Sequence, residues 1–271
     1  MTTKELLAKA NAVTANEVRS EQIGGAESPV SYISLCRGQS KALIEGHKNH
    51  IPGIGLNDFY VQDPKQVLGK KIQFVIVGFV DCYNEYESYD PNADWGGTWS
   101  REDSDKYPSV EGRFFDKQLP NGHVLRQTGW LVVKLLKGEF EKPTVIAMSK
   151  TSIFDFMEIR NQANVLKDEK GLAYNQMVWE ATAKQVTSKD GKHSWAAMDI
   201  QFKDVLYTIE GDELKSKASE ELLGDILDYA RGFQVAMDSK QLIAPRVAQI
   251  SAPKVELVEA KYDEENEELV F

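Results

Sequence analysis

At 271 residues and 42% hydrophobic content the chain can bury a substantial core as one large domain or two small ones, and no run approaches the roughly 18–20 uncharged apolar residues of a membrane-spanning helix. Cys36 and Cys82 are isolated and the first residues have no apolar signal core, so neither a disulfide framework, a CxxC zinc motif nor a secretory leader is expected, and an intracellular protein in a reducing cytosol is. The net charge of −10 disfavours a phosphate-rich partner only if it is evenly spread: from Lys254 to Phe271 seven acids stand against two lysines, whereas Arg113 to Lys203 holds fourteen Lys/Arg against ten Asp/Glu.

Residues 1–29 are small and polar and read as an N-terminal arm with a helix over roughly 4–18. Val30 to Val61 alternates short apolar runs with turn residues, including Ile51-Pro52-Gly53-Ile54-Gly55. Ile72 to Cys82 is almost wholly apolar and β-branched, the pattern of a strand buried on both faces. Residues 83–110 turn aromatic and acidic and read as a long working loop. Thr128 to Lys137 alternates, with Leu131, Val133 and Leu135 on one face and Trp130, Val132 and Lys134 on the other, which is expected to be solvated. Pro143 to Met148 is a further strand, and Thr151-Ser152 caps a helix with Ile153, Phe156 and Met157 inward.

A hairpin is expected from about Tyr174 to Tyr207, turning at Asp190-Gly191. Met177, Trp179, Ala181 and Ala183 face the core with Ala196, Met198, Ile200 and Phe202, leaving His193, Trp195, Asp199, Gln201 and Lys203 on the wet side. Apolar residues at helical spacing over 217–237 predict one amphipathic helix, read as core or homodimer packing. Residues 239–255, with Pro245 and Pro253, read as a linker, and 256–271 as a disordered acidic tail.

Unpaired bases stack on aromatic rings while cations follow the backbone, so a strand-binding groove needs both residue types on one exposed face. Tyr86, Trp95, Trp99, Trp130 and Trp195 supply the rings, and Arg101, Arg126, Lys134, Lys184, Lys189, Lys192 and Lys203 the charge. Catalytic patterns are lacking: the sequence has no HExxH, no GxxxxGK[ST] and no GxGxxG after a strand. Asp81, Glu85, Glu87 and Asp90, clustered after a buried strand, are the residues with which a metal-dependent nuclease would hold Mg²⁺.

The terminal DEENEELVF resembles the tails of bacterial and phage single-stranded DNA-binding proteins, which are acidic and end in phenylalanine. Leu269-Val270 stand here before Phe271 where bacterial tails carry Asp-Phe. The runs PVSYISLCRGQS, IPGIGLNDFYV and LGKKIQFVIVGFVDCYNEYE, within residues 29–87, are similar to proteins of phage replication regions.

The expected fold is therefore mainly β with helices (α+β), an OB-like β-barrel over 30–210 followed by a C-terminal helix over 211–238. The resemblance implies sequence-independent binding and protection of single-stranded DNA during phage replication and recombination, in the cytoplasm of the infected host. It further implies recruitment of phage or host replication proteins through Asp263, Glu264, Glu265, Glu267, Glu268 and Phe271. No enzymatic activity, cofactor, metal or membrane is expected. The rival readings are a virion-associated or structural protein with a solubilising tail, and the nuclease.

Overall fold

A computed structural model of the protein describes residues 3–12, 30–88, 95–137, 144–188, 191–211 and 213–238. The chain is α+β and mostly strands, with a large sheet curled into a half-barrel and few helices. The linker, the tail and most of the N-terminal arm lie outside the described residues.

The spine is an antiparallel pair, β4 (Lys71–Tyr86) and β8 (Val124–Leu135), in register from Phe74 opposite Leu135 to Tyr86 opposite Val124. Its two ends have different neighbours. At one end β4 pairs with β10 (Met177–Thr187), which carries β11 (Ser194–Val205) outward. Along the middle of the spine β8 pairs with β9 (Thr144–Ser149), followed by β1 (Ser31–Leu35, parallel to β9), β2 (Phe59–Val61) and β3 (Gln66–Gly69). At the other end β5 (Trp95–Ser100) flanks β4, and the short β6 (Ser109–Val110) and β7 (Arg113–Gln118) flank β8. A separate ribbon of β12 (Tyr207–Glu210) and β13 (Glu213–Ser216) follows.

Both faces of the spine are covered, which explains the unbroken apolar run of β4. On the inner face Phe74, Ile76, Leu131, Val133 and Trp179 meet Ile153, Phe156, Ile159 and Ala163 of α3 (Ser152–Lys170). A bulge between Ile76 and Gly78 shifts the alternation by one residue, so Phe79 joins this face. On the outer face α1 (Thr3–Ala12) and α4 (Glu220–Asp238) bury Leu6, Leu223, Ile226 and Leu227 against Val75 and Val178, and Phe233 against Val80, Trp130 and Val132.

Glycines permit the close approach of both helices. A Cβ on Gly78 would stand 2.4 Å from the Phe233 ring, and one on Gly129 2.3 Å from that of Phe156. At the start of α3 the Ser152 hydroxyl accepts from the Ser149 N–H and donates to the Ser149 carbonyl, whereas Thr151 makes no side-chain cap. Gly171, at φ 64°, ends the helix in the left-handed region that suits glycine.

Residues 83–110 are not one long loop. β4 runs on to Tyr86, and β5 pairs back along it into α2 (Arg101–Ser104), which is capped by Ser100. Polar pairs hold this part together, including Thr98 Oγ1 donating to Asn84 Oδ1 at 2.9 Å, which is why its aromatic and acidic composition does not look like a strand. Trp130 and Val132 also depart from the expectation that their face meets water, because α4 lies over them.

Candidate nucleic-acid interface

The expected rings and cations do not line one trough. Trp130 is 3% exposed, stands edge-on to Tyr32 with ring centroids 5.8 Å apart, and packs with Val145 and Phe233. No base can reach it. On the same covered face the Lys134 ammonium sits 5.7 Å above the Tyr229 ring of α4. Trp99 turns its indole N–H to Glu85 Oε2 at 2.7 Å and meets Tyr107 edge-on, while the other oxygen of the buried Glu85 carboxylate takes His123 Nδ1 at 2.7 Å. Arg101 opens α2 and pairs with Asp105 at 3.7 Å. Arg126 lies 4.9 Å over the Tyr86 ring at the far end of the spine.

Along the hairpin, Lys184 pairs with Asp199 at 3.3 Å, and Lys203 with Glu180 at 3.9 Å, a carboxylate shared with Lys71. Lys192 is exposed near the turn. Lys189, the side chain of Trp95 and the tail residues Asp263 to Phe271 lie outside the described residues. Trp195 keeps the position expected of it, 38% exposed near the start of β11.

Two clefts run beside this hairpin, and their charges differ. One of about 310 Å³ separates α3 from β11 and is lined by Asp155, Glu158 and Asp199 around Lys184. Burial raises the pKa of Asp155, with Lys184 opposing the shift and Glu158 and Asp199 adding to it. Three carboxylates against one ammonium repel phosphate.

The other cleft, of about 660 Å³, lies between the hairpin and the segment that joins β1 to β2. Arg37, Gln39, Leu56 and Asn57 form one wall, Gln185 and Trp195 the other, and among the described residues no acid lines it. Its loop wall is built firmly. The β1–β2 ladder continues through Cys36 N–H to the Asp58 carbonyl at 2.8 Å and Asn57 N–H to the Cys36 carbonyl at 2.9 Å. Ser40 Oγ accepts the Arg37 N–H at 2.7 Å, and Asp58 Oδ2 accepts the Gly55 N–H at 2.7 Å, so the Asp58 carboxylate is turned into its own loop. Asn57 adopts φ 66°, a left-handed turn that asparagine tolerates.

Arg37, Leu56 and Asn57 are absent from the sequence-derived set. Their only signal was their place within the PVSYISLCRGQS and IPGIGLNDFYV runs, since a loop so far before Trp195 in the chain carries no periodicity that links the two. Two carboxylates of the nuclease reading are engaged, Asp81 pairing with Arg160 at 2.7 Å and Glu85 held by Trp99 and His123, while Glu87 is exposed and Asp90 lies outside the described residues. Among the described residues no three His, Cys, Asp or Glu side chains gather for a metal. None of the described helices is long and apolar enough to cross a membrane. No protein family, curated protein or solved structure matches the chain.

Proposed function

We propose that the protein binds single-stranded DNA without regard to sequence and protects it during phage replication and recombination, a base stacking on Trp195 while Arg37 neutralises phosphate. One observation carries this reading: an indole 38% exposed on the wall of a 660 Å³ cleft that faces an arginine and, among the described residues, is lined by no acid. The cleft's size suits a nucleotide-sized occupant, and its amides and hydroxyls can hydrogen-bond sugar, base or phosphate without selecting one base. An OB-like barrel is the finer architecture within this proposal, supported by the curl of the sheet and the predominance of strands. The acidic tail recruits phage or host replication proteins in the cytoplasm of the infected cell, and binding requires no cofactor.

Oligo-dT titration of tryptophan fluorescence tests the reading. Stacking on Trp195 quenches the signal, and Trp195→Ala weakens binding by about 5- to 150-fold, the equivalent of roughly 1–3 kcal/mol per stacked base, with thermal stability retained. Affinity also falls as salt rises, because phosphate contacts release counterions. An unresponsive wild-type protein would leave a structural role as the better reading.

A further inference from the structure

We infer a second strand-contact site, a phosphate-and-stacking subsite built by Arg113, Arg126, Lys150, Phe115 and Phe154 where β7, β8 and the β9–α3 corner meet. It rests on the proposed single-stranded DNA binding and extends it to a surface that shares no residue with the Trp195 cleft.

The site follows from a change of partner along one edge of β8. Thr128 is opposite Ser149 of β9, whereas Arg126, two residues earlier, is opposite Asp116 of β7. The two neighbouring strands diverge at this point, and Lys150 caps the divergence at φ 56°, a left-handed conformation that a lysine adopts at some cost. Arg113, Arg126 and Lys150 all lie within electrostatic reach of Asp116, so three cations surround one carboxylate. Partial withdrawal from water, and then the nearness of Arg126 and Arg113, lowers the pKa of Lys150. Mutual repulsion of this kind is relieved by an added anion.

Rings stand beside the charge. Phe115 and Phe154 are 37% and 59% exposed and cross edge-to-face with centroids 5.7 Å apart, bridging β7 to the first turn of α3. Exposed phenylalanines next to clustered cations are the two components that a phosphodiester strand needs: a face for a base and a countercharge for its backbone. Arg126, 8% exposed and lying over the Tyr86 ring, adds its charge from behind, whereas Arg113 and Lys150 are exposed.

The test uses the full chain and two lengths of oligo-dT, about 5 and about 30 nucleotides, against reported site sizes of roughly 4–16. For the long oligomer, Phe154→Ala weakens binding about fivefold or more, and Arg113→Gln with Lys150→Gln lowers the salt slope by about 1.4, near 0.7 per phosphate contact on single strands. The short oligomer, held at the Trp195 cleft, binds these variants as it binds wild type. Long-oligomer affinity and slope unchanged in both variants, with Trp195→Ala still weakened, overturn the second site and leave the first reading standing. Equal losses on short and long oligomers overturn its separateness. A wild-type protein that binds neither oligomer overturns both. The two variants alter exposed side chains on different elements, so the readout survives if one of them fails to fold.

Discussion

Trp130 and Trp195 hold similar positions in the sequence, each an indole on the polar side of an alternating strand, yet one is 3% and the other 38% exposed. Phe233 of α4, a residue about a hundred positions further on, covers the first, and among the described residues no core cluster includes the second. Trp130→Ala therefore removes core: it is expected to lower stability by about 3–5 kcal/mol in urea unfolding and to leave oligo-dT affinity per folded molecule unchanged. Full stability with weakened DNA binding would return Trp130 to the stacking set. Its indole N–H and that of the fully buried Trp179 find no acceptor among the described residues. Trp130→Phe is accordingly milder than its loss of area implies, since it removes a buried donor that is worth roughly 1–3 kcal/mol when left unsatisfied.

Alternating strands and periodic helices were legible as elements. The inner face of the hairpin, with Met177, Trp179 and Ala181 opposite Ile200 and Phe202, lies where period-two reading places it, and α3 follows its expected cap, whereas α4 begins only at Glu220 because Glu213–Ser216, inside the segment expected as helix over 211–238, pair as β13 with β12. The segment after Cys82 was not legible, because β5 is held by polar pairs such as Thr98 with Asn84 rather than by apolar alternation. The spacing between elements depends on single glycines. Gly129→Ala drives a methyl into the Phe156 ring, with an expected loss of about 1–3 kcal/mol. Because the obstacle is one side chain, Phe156→Leu in the same molecule should recover part of that loss in a double-mutant cycle. Strictly additive losses would point to backbone distortion at Gly129.

Charge is organised at the scale of the whole molecule. Half of the net −10 resides in the last eighteen residues, so the remainder of the chain is far less anionic than the total suggests. Deleting residues 256–271 removes seven acids and one lysine, and the truncated protein is expected to bind oligo-dT severalfold more tightly at low salt. The difference fades as the screening length shrinks from about 30 Å at 0.01 M to about 10 Å at 0.1 M ionic strength. Equal or weaker binding by the truncated chain at low salt would show that the tail does not oppose DNA.

Local signal in the chain defines one set of features: the doubly buried strand at Ile72 to Cys82, the hairpin, the two long helices and the separation of an acidic end from a more basic middle. Periodicity and composition carry that information within a few neighbouring residues. The tertiary structure alone decided which faces stay wet, that Trp130 is roofed by α4, that Arg37 stands across from Trp195, and that Arg113, Arg126 and Lys150 converge around Asp116. Each of these joins residues far apart in the chain, and exposure and electrostatic proximity depend on what packs overhead rather than on what comes next in the sequence.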